Sequence, residues 1–253
     1  MAKLNTVTSG TRPASPAAGE AYFETDTNKI IVWDGSAWTE LVSDYAPSFA
    51  NQYSVNFDGS DDYMQTSSNI TFASDFSLSF WIKPTNFNDC WFANQGDASA
   101  FISSNNNGDI WLNGTVTGPT VGITRGEWNH IFLSRSGSTI TVYKKSATGN
   151  ASGTITKSGT LSYNLIGRYS SSGFHYLGLM DEVAVFNTAL SSTDATNIYN
   201  SGVPGDISSL NPVNWWRMGD NNGGTGTTIT DAGSGGNDGT LTNGPTFSTT
   251  VPS

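Results

Sequence analysis

Acidic residues spaced around glycine are the groups in this 253-residue chain best suited to do chemistry. The run Asp58-Gly59-Ser60-Asp61-Asp62 places three carboxylates within five residues. Ca²⁺ takes about six to eight oxygen ligands from carboxylates, amides and carbonyls held by glycine-rich turns. The pattern therefore indicates a structural calcium site, with the donors Asp58, Asp61, Asp62 and Asp181 and the reserves Asp231 and Asn237.

Ordinary turn chemistry is the alternative explanation for the same acids. Asp and Asn side chains hydrogen-bond nearby backbone groups and so stabilise turns without any ion. The spacing of the acids is not that of an EF-hand loop. Both interpretations stay open at the level of sequence.

Hydrolytic chemistry has little support in the sequence. A glycoside hydrolase needs two carboxyl groups about 5 to 10 Å apart across its substrate. Asp181 and Glu182 are neighbours, so a regular strand would direct them to opposite faces, and no acid follows at positions 183 to 186. His130 and His175 are the only histidines, and Gly-x-Ser-x-Gly is absent. We therefore expect no enzyme activity, and interpret His130 as a packed strand residue.

The balance of charge excludes several partners. Lys and Arg number 11 against 21 Asp and Glu, a net charge of −10, whereas nucleic-acid binders need a cationic surface. No stretch approaches the roughly 20 apolar residues of a membrane span, and the start lacks the apolar run of a signal peptide. We expect a protein made in a cytoplasm, without membrane insertion, whose single Cys90 is a buried structural thiol.

Composition and periodicity predict an all-β fold. The 28 glycines serve turns, and the aromatic content of 12% suits pleated strands. Residues 76–82 and 131–134 alternate apolar and polar side chains, which is typical of antiparallel strands with one buried face. We predict an antiparallel β-sandwich with one short helix, which begins after an N-cap at Ser191 and ends before Gly202 and Pro204.

The first 44 residues read as a separate small β-meander, and residues 45–253 as the sandwich. Three short strands are predicted at Glu20–Glu24, Lys29–Asp34 and Ala37–Val42, separated by turn residues. Such a meander buries too little surface to be stable alone and should pack on a partner. The candidate attachment residues are Tyr22, Phe23, Trp33 and Trp38.

Motifs in residues 52–202 resemble the laminin G-like branch of the concanavalin A-like lectin/glucanase superfamily. The resemblance is carried by Ser54–Met64, Phe76–Pro84, Trp128–Phe132, Thr139–Tyr143 and Gly178–Ser191. It implies a lectin-like jelly roll, in some relatives with calcium near such motifs. Trp215–Asp220 and Asp231–Leu241 resemble a segment that in many relatives precedes the Phe57-Asp58-Gly59 motif. We infer a circular permutation in which strands within residues 211–250 complete the sandwich.

Residues 11–41 resemble a segment common in phage tail fibres and other virion proteins, through Arg12-Pro13, Tyr22–Thr27 and Trp33–Trp38. This resemblance implies a structural phage protein, a tail fibre or head decoration, on the virion surface. Its expected partners are capsid, tail or fibre proteins, with a homotrimer as one arrangement.

Polar and aromatic loops supply candidates for glycan binding. Exposed rings and short polar side chains on loops recognise sugars, although solvent alone also accounts for such loops. The expected function is a virion protein that displays a lectin-like sandwich to host-surface glycans. The alternatives are a carbohydrate-binding module or adhesin of a bacterial surface and, last, a glycoside hydrolase. The candidate residues are Asn105, Asn106, Arg168, Tyr169, Phe174 and His175.

Overall fold

The computed structural model describes residues 5–27, 29–40, 49–87, 89–105, 107–113, 115–116, 121–170 and 173–253. The chain divides into two compact units, residues 1–50 and 51–253. The predicted Asn106, and the last two residues of the third predicted N-terminal strand, lie outside the described residues. No helix in the described ranges has the length and apolar character that a bilayer crossing requires.

The first unit is a four-stranded sheet in the order β1-β2-β3-β4. Antiparallel pairing joins β2 to β3 and β3 to β4, whereas β1 lies parallel to β2. The strand β1 is an addition to the three predicted ones, because its short polar sequence carries no periodic signal. The strands are β1 (Asn5–Val7), β2 (Ala21–Glu24), β3 (Lys29–Trp33) and β4 (Trp38–Glu40).

The second unit is a sandwich of two large sheets, which confirms the predicted all-β fold. Its strands are β5 (Ser54–Asp58), β6 (Tyr63–Phe72), β7 (Phe76–Pro84), β8 (Cys90–Asn94), β9 (Asp97–Ser104), β10 (Ile110–Leu112), β11 (Thr115–Val116), β12 (Asn129–Ser136), β13 (Thr139–Ser146), β14 (Gly149–Thr156), β15 (Leu161–Ile166), β16 (Leu177–Phe186), β17 (Asn214–Trp216), β18 (Thr228–Ile229), β19 (Gly239–Thr242) and β20 (Thr246–Ser248).

All strand pairs in the sandwich are antiparallel. One sheet has the order β11-β10-β9-β8-β15-β6-β19-β18, and we call it the pocket sheet because a surface pocket lies on its outward face. The helix sheet has the order β14-β13-β12-β7-β16-β5-β20, and β17 also pairs with β16.

The core lies between the two sheets and follows from the alternation of side chains. On β7, Phe76, Leu78, Phe80 and Ile82 join one buried apolar cluster that draws on both sheets. The residues between them on this strand therefore face away from the core. The outward face of the helix sheet is covered there, since Trp81 stacks on Tyr199 of the helix with ring centroids 5.5 Å apart.

The glycine-rich C-terminal segment is built into both sheets. The strand β19 pairs with β6, and β20 pairs with β5. Glycine is required at the first of these contacts, because a Cβ on Gly239 would lie 2.4 Å from the sulfur of Met64. A segment that composition alone would class as disordered is therefore part of the folded sandwich.

The helix α1 (Ser192–Tyr199) begins and ends as the sequence indicates. The side chain of Ser191 accepts a hydrogen bond from the Asp194 amide, and the Asp194 carboxylate accepts one from the Ser191 amide. This reciprocal capping satisfies two amides at the start of the helix. The chain leaves the helix through Asn200, which has a left-handed conformation.

Candidate functional site

A row of three residues crosses the outward face of the pocket sheet. Trp111 on β10 lies opposite Ser103 on β9, and Ser103 lies opposite Cys90 on β8. Ile102, Ile110 and Leu112, which alternate with this row, belong to the core, so the row itself faces outward. Two small side chains therefore stand beside a large ring, which leaves a depression in the surface.

Further aromatic side chains stand around this depression. Phe101 lies two residues before Ser103 on β9 and packs on the small outward cluster of Cys90, Ala93 and Leu165. Its ring meets the edge of Tyr169, with centroids 5.5 Å apart, and Tyr169 meets Phe174 at 6.1 Å. The three rings pack in edge-to-face geometry, which holds them without filling the space above the small residues.

The loop after β15 brings Tyr169 and Phe174 to the pocket. The Tyr169 amide donates to the Phe174 carbonyl at 2.9 Å, which closes the loop. Arg168 donates from Nε to the Tyr169 carbonyl, and the Tyr169 hydroxyl donates to the carbonyl of Ala98 on β9. Hydrogen bonds therefore fix the Tyr169 ring through its hydroxyl and the backbone of Phe174 through its carbonyl.

The resulting cavity has a volume of about 180 Å³. Trp111 and Phe174 are 37% and 46% exposed, so two of its rings are open to solvent. Exposed aromatic rings that flank a concave surface indicate a binding site more often than isolated apolar residues do. The described residues that line the cavity are Asp89, Cys90, Phe101, Ser103, Ser104, Trp111, Tyr169 and Phe174.

Among the described residues that line it, the cavity has one carboxyl group, that of Asp89, and one thiol, that of Cys90. Asp89 is 5% exposed, burial raises its pKa to about 6, and its Oδ2 has no hydrogen-bond partner among the described residues. Burial raises the pKa of the Cys90 thiol far above its usual range, so no thiolate forms near neutral pH. The chemistry available is therefore binding by rings, hydroxyls and a carboxyl group.

The structure separates the predicted glycan-binding residues. Tyr169 and Phe174 line the cavity, whereas Arg168 is not among its described lining residues and has its guanidinium over the ring of Tyr63 at 4.6 Å. His175 pairs with Arg168 across the loop and does not line the cavity. Asn105 accepts hydrogen bonds from the amides of residues 107 and 109, so its side chain is used to build its own loop.

Most residues of the site were not predicted from the sequence. Trp111 sits between Ile110 and Leu112, and an aromatic residue between two core positions must face away from the core. That alternation was the available signal for Trp111. Phe101 and Ser103 gave no such signal, because their strand was not predicted at all.

The acidic turn after β5 brings three of the four predicted calcium donors together. Carboxylate oxygens of Asp58, Asp61 and Asp62 lie within 4.8 Å of one another. The Ser60 amide donates to Asp58, which lowers the pKa of that carboxyl, and the Asp58 amide donates to Asp62. Turn hydrogen bonds thus use two carboxylates, while the set of oxygen donors still fits the chemistry of Ca²⁺.

The other predicted donors are used elsewhere. Asp181 is buried in a separate cluster and does not belong to the acidic turn. Asp231 accepts hydrogen bonds from the amides of Trp215, Gly233 and Asn237. Asn237 in turn accepts from Ser67 and Ser68, so both reserves bind the C-terminal segment to the sandwich.

A β-bulge corrects the expectation that Asp181 and Glu182 point to opposite faces. The register of β16 with β7 shifts between Asp181 and Ala184, and Glu182 has a φ of 45°. Met180 and Val183 both face the core, so the two acids between them lie together on the other side. Alternation fails at this point because the bulge inserts an extra residue.

Both acids are nevertheless enclosed. Asp181 accepts a hydrogen bond from Asn51, and Glu182 accepts hydrogen bonds from Trp215 and Arg217. Burial raises the pKa of Asp181 well above its usual range and that of Glu182 to about 7. The cavity beside Glu182 measures about 10 Å³, the size of about one water molecule, which leaves no room for a sugar.

His130 is a fully buried residue beneath the helix. Its Nε2 pairs with the Ser79 hydroxyl at 2.8 Å, and its ring lies 4.9 Å from that of Trp81. Burial lowers its pKa to about 3, so the imidazole is neutral at ordinary pH. Its place is that of a packed strand residue.

The predicted attachment residues share the N-terminal sheet. The ring of Trp38 meets those of Tyr22 and Trp33 in edge-to-face contacts at 5.7 and 5.5 Å. All three side chains, and Phe23, are only partly buried. Among the described residues of this unit, Ile31 and Glu24 alone are fully buried.

Solved structures similar to this chain share its fold. A "putative carbohydrate binding protein" from Bacteroides ovatus ATCC 8483 is 18% identical, with a TM-score of 0.56 over 79% of this chain and 61% of that chain. This chain thus spans about three fifths of the length of that protein, and at this identity the likeness shows the fold alone.

Two further structures match less well. The heptameric SAP-like pentraxin from Limulus polyphemus is 14% identical, with a TM-score of 0.45 over 58% of this chain and 82% of its own. Tailspike protein 2 from Escherichia coli O157:H7 bacteriophage CAB120 is 12% identical, with a TM-score of 0.41 over 79% of this chain and 35% of its own. No curated protein matches the chain.

The family comparison agrees with the sandwich of two packed sheets. The model of the concanavalin A-like lectin/glucanases superfamily, in its laminin G form, matches residues 58–196, more than half of the sequence. The chain therefore belongs to the concanavalin A-like lectin/glucanase superfamily.

Proposed function

We propose that this protein is a non-enzymatic glycan-binding component of a phage particle surface. The sandwich binds one ring of a host-surface glycan in the cavity between Trp111, Phe101, Tyr169 and Phe174. The observation that carries the binding is the cavity itself, in which solvent-exposed rings stand around the small side chains of Ser103 and Cys90. Aromatic rings stack on the apolar faces of sugars, and hydroxyl and carboxyl side chains form hydrogen bonds with the sugar hydroxyl groups.

The environment of the acids favours binding over hydrolysis. Asp181 and Glu182 share one side of the sheet, but both are buried and hydrogen-bonded, and the cavity that the described residues form beside Glu182 measures about 10 Å³. The cavity has Asp89 as its one carboxyl group among the described lining residues. A retaining or inverting mechanism requires two.

Attachment to the particle is assigned to the N-terminal unit. Its aromatic residues pack on one another while staying partly exposed, and it has little core of its own. A sheet of this kind gains stability by covering its rings with a partner. Capsid, tail or fibre proteins, or two further copies of this chain in a trimer, are the partners we propose.

A glycan array with the purified full chain tests the binding. We expect the wild-type chain to bind a defined set of glycans and Trp111→Ala to lose on the order of tenfold in affinity, because a stacked ring contributes about 1–2 kcal/mol. Val203→Ala is the matched control, since Val203 is 50% exposed and lies outside the cavity lining. Equal binding by all three proteins would contradict the assignment of the pocket.

Antibody labelling of assembled particles tests the location. We expect label on intact phage particles and a trimer by light scattering of the purified chain. Label on bacterial cells without phage would instead support the bacterial adhesin.

A further inference from the structure

The described residues that line the cavity include one acidic side chain and no basic one. Asp89 is that acid, and none of the described residues that line the cavity is Lys, Arg or His. The nearest cations that the contacts identify lie outside this lining. Arg168 lies over the ring of Tyr63, and Arg125 lies 4.0 Å from the ring centre of Phe87, from where its charge acts on Asp89.

An anionic sugar would therefore lose water in this cavity without a cation among the described lining residues to pair with. Desolvation of an unpaired carboxylate or phosphate is costly, and repulsion from Asp89 adds to that cost. The net charge of −10 on the whole chain acts in the same direction. The walls offer instead four aromatic rings and the hydroxyls of Ser103 and Ser104, groups that suit an uncharged ring.

The size of the space limits the ligand further. A cavity of about 180 Å³ bounded by Trp111 on one side and Tyr169 and Phe174 on the other takes one ring at a time. A charged substituent that enters the cavity with that ring therefore contacts the same walls.

Resting on the proposed glycan binding, we infer that the pocket selects an uncharged sugar ring, bound through its apolar face, and rejects uronic acids and phosphorylated sugars.

Calorimetric titration of the full chain tests this selectivity. The probes are the methyl glycosides of glucose, galactose and mannose, each beside its uronic acid counterpart. At least one neutral glycoside should bind, with its uronate weaker by tenfold or more at pH 7.5. Asp89→Asn should reduce the ratio of neutral-glycoside affinity to uronate affinity several-fold, because the amide keeps the shape of the side chain and removes its charge. Asp206→Asn, an exposed acid outside the cavity, should leave the ratio unchanged.

The outcomes separate the two proposals. The selectivity would be overturned if a uronate bound as well as the neutral glycoside from which it derives. A 2-amino sugar that bound tenfold more tightly than its neutral glycoside would also overturn the selectivity, and in both cases sugar binding itself would stand. An unchanged ratio in Asp89→Asn would remove Asp89 as a cause. No heat with any probe, together with an empty glycan array, would overturn both the selectivity and the proposed function.

Discussion

Trp111 stands directly across the β9–β10 pair from Ser103, so one of the largest side chains of the pocket sheet adjoins one of its smallest. The depth of the cavity depends on this difference in size. The small side chain of Ser103 therefore sets the depth of the site.

Filling this position should close the cavity. We expect Ser103→Phe to abolish measurable glycan binding and to change the free energy of unfolding by less than about 1.5 kcal/mol, because the new ring lies on the outward face of the sheet. Titration and urea denaturation of the same sample check both expectations. Retained binding in a folded variant would mean that the ligand lies elsewhere.

The buried acids should make stability depend on pH in one direction. The folded-state pKa of Asp181 is raised by burial and by the negative charges of Glu182 and Asp220. Asn51 donates a hydrogen bond to Asp181, and Arg217 forms ion pairs with Glu182 and Asp220. A raised pKa means that the folded chain binds the proton more tightly, so stability is lost as pH rises above the unfolded value.

Asp181→Asn should therefore be more stable than wild type at pH 8, by about 1–3 kcal/mol, the usual cost of a poorly compensated buried polar group. The difference should shrink toward pH 4, where the wild-type carboxyl is protonated. Chemical denaturation across this range measures it, and a constant difference at every pH would contradict the assignment. Glu182, whose pKa is raised to about 7, should add to the loss of wild-type stability between about pH 4.5 and 7.

His130 should act in the opposite sense. Burial and the charge of Lys145 lower its pKa to about 3, so the unfolded chain takes up a proton below about pH 6.5 that the folded chain refuses. The contribution of neutral His130 to the free energy of unfolding is present above pH 6.5 and is lost as the pH falls toward 3. We expect His130→Gln to lose less stability than wild type between pH 6 and 4, and an identical acid profile would show that another group is responsible.

The acidic turn gives a prediction about calcium. We propose that Asp58, Asp61 and Asp62 hold a structural Ca²⁺, which then stabilises the folded state by mass action. We expect Ca²⁺ to raise the Tm of the wild-type chain and not that of Asp61→Asn, measured against excess chelator. A Tm that is the same with calcium and with chelator would leave turn hydrogen bonding as the whole explanation of these acids.

The sequence was most informative where side chains alternate or cap. The period-two pattern of β7 and the capping residues of the helix predicted their elements, because each depends on local geometry alone. The strands β9 and β14 escaped prediction, since Asp97–Ser104 and Gly149–Thr156 are rich in the residues of turns and are held in place by long-range pairing.

The residues of the site were harder to predict from the sequence, because long-range strand pairing brings them together. Tyr169 and Phe174 were predicted from a polar aromatic loop, but their partners Trp111 and Ser103 arrive from strands distant along the chain. The bulge at Glu182 likewise depends on pairing with β7, so no local pattern at residues 181 and 182 indicates it.

The central claim is that a sugar ring binds between Trp111 and Phe174 over Ser103. Two-dimensional ¹H–¹⁵N spectra of the full chain during titration with a neutral methyl glycoside test it most directly, with the Trp111 indole signal assigned by its loss in Trp111→Ala. We predict saturable shifts of the Trp111 indole and of the Ser103 and Phe174 amides. Saturable shifts confined to residues outside this cavity, or no shifts with any glycoside that the array identifies, would contradict it.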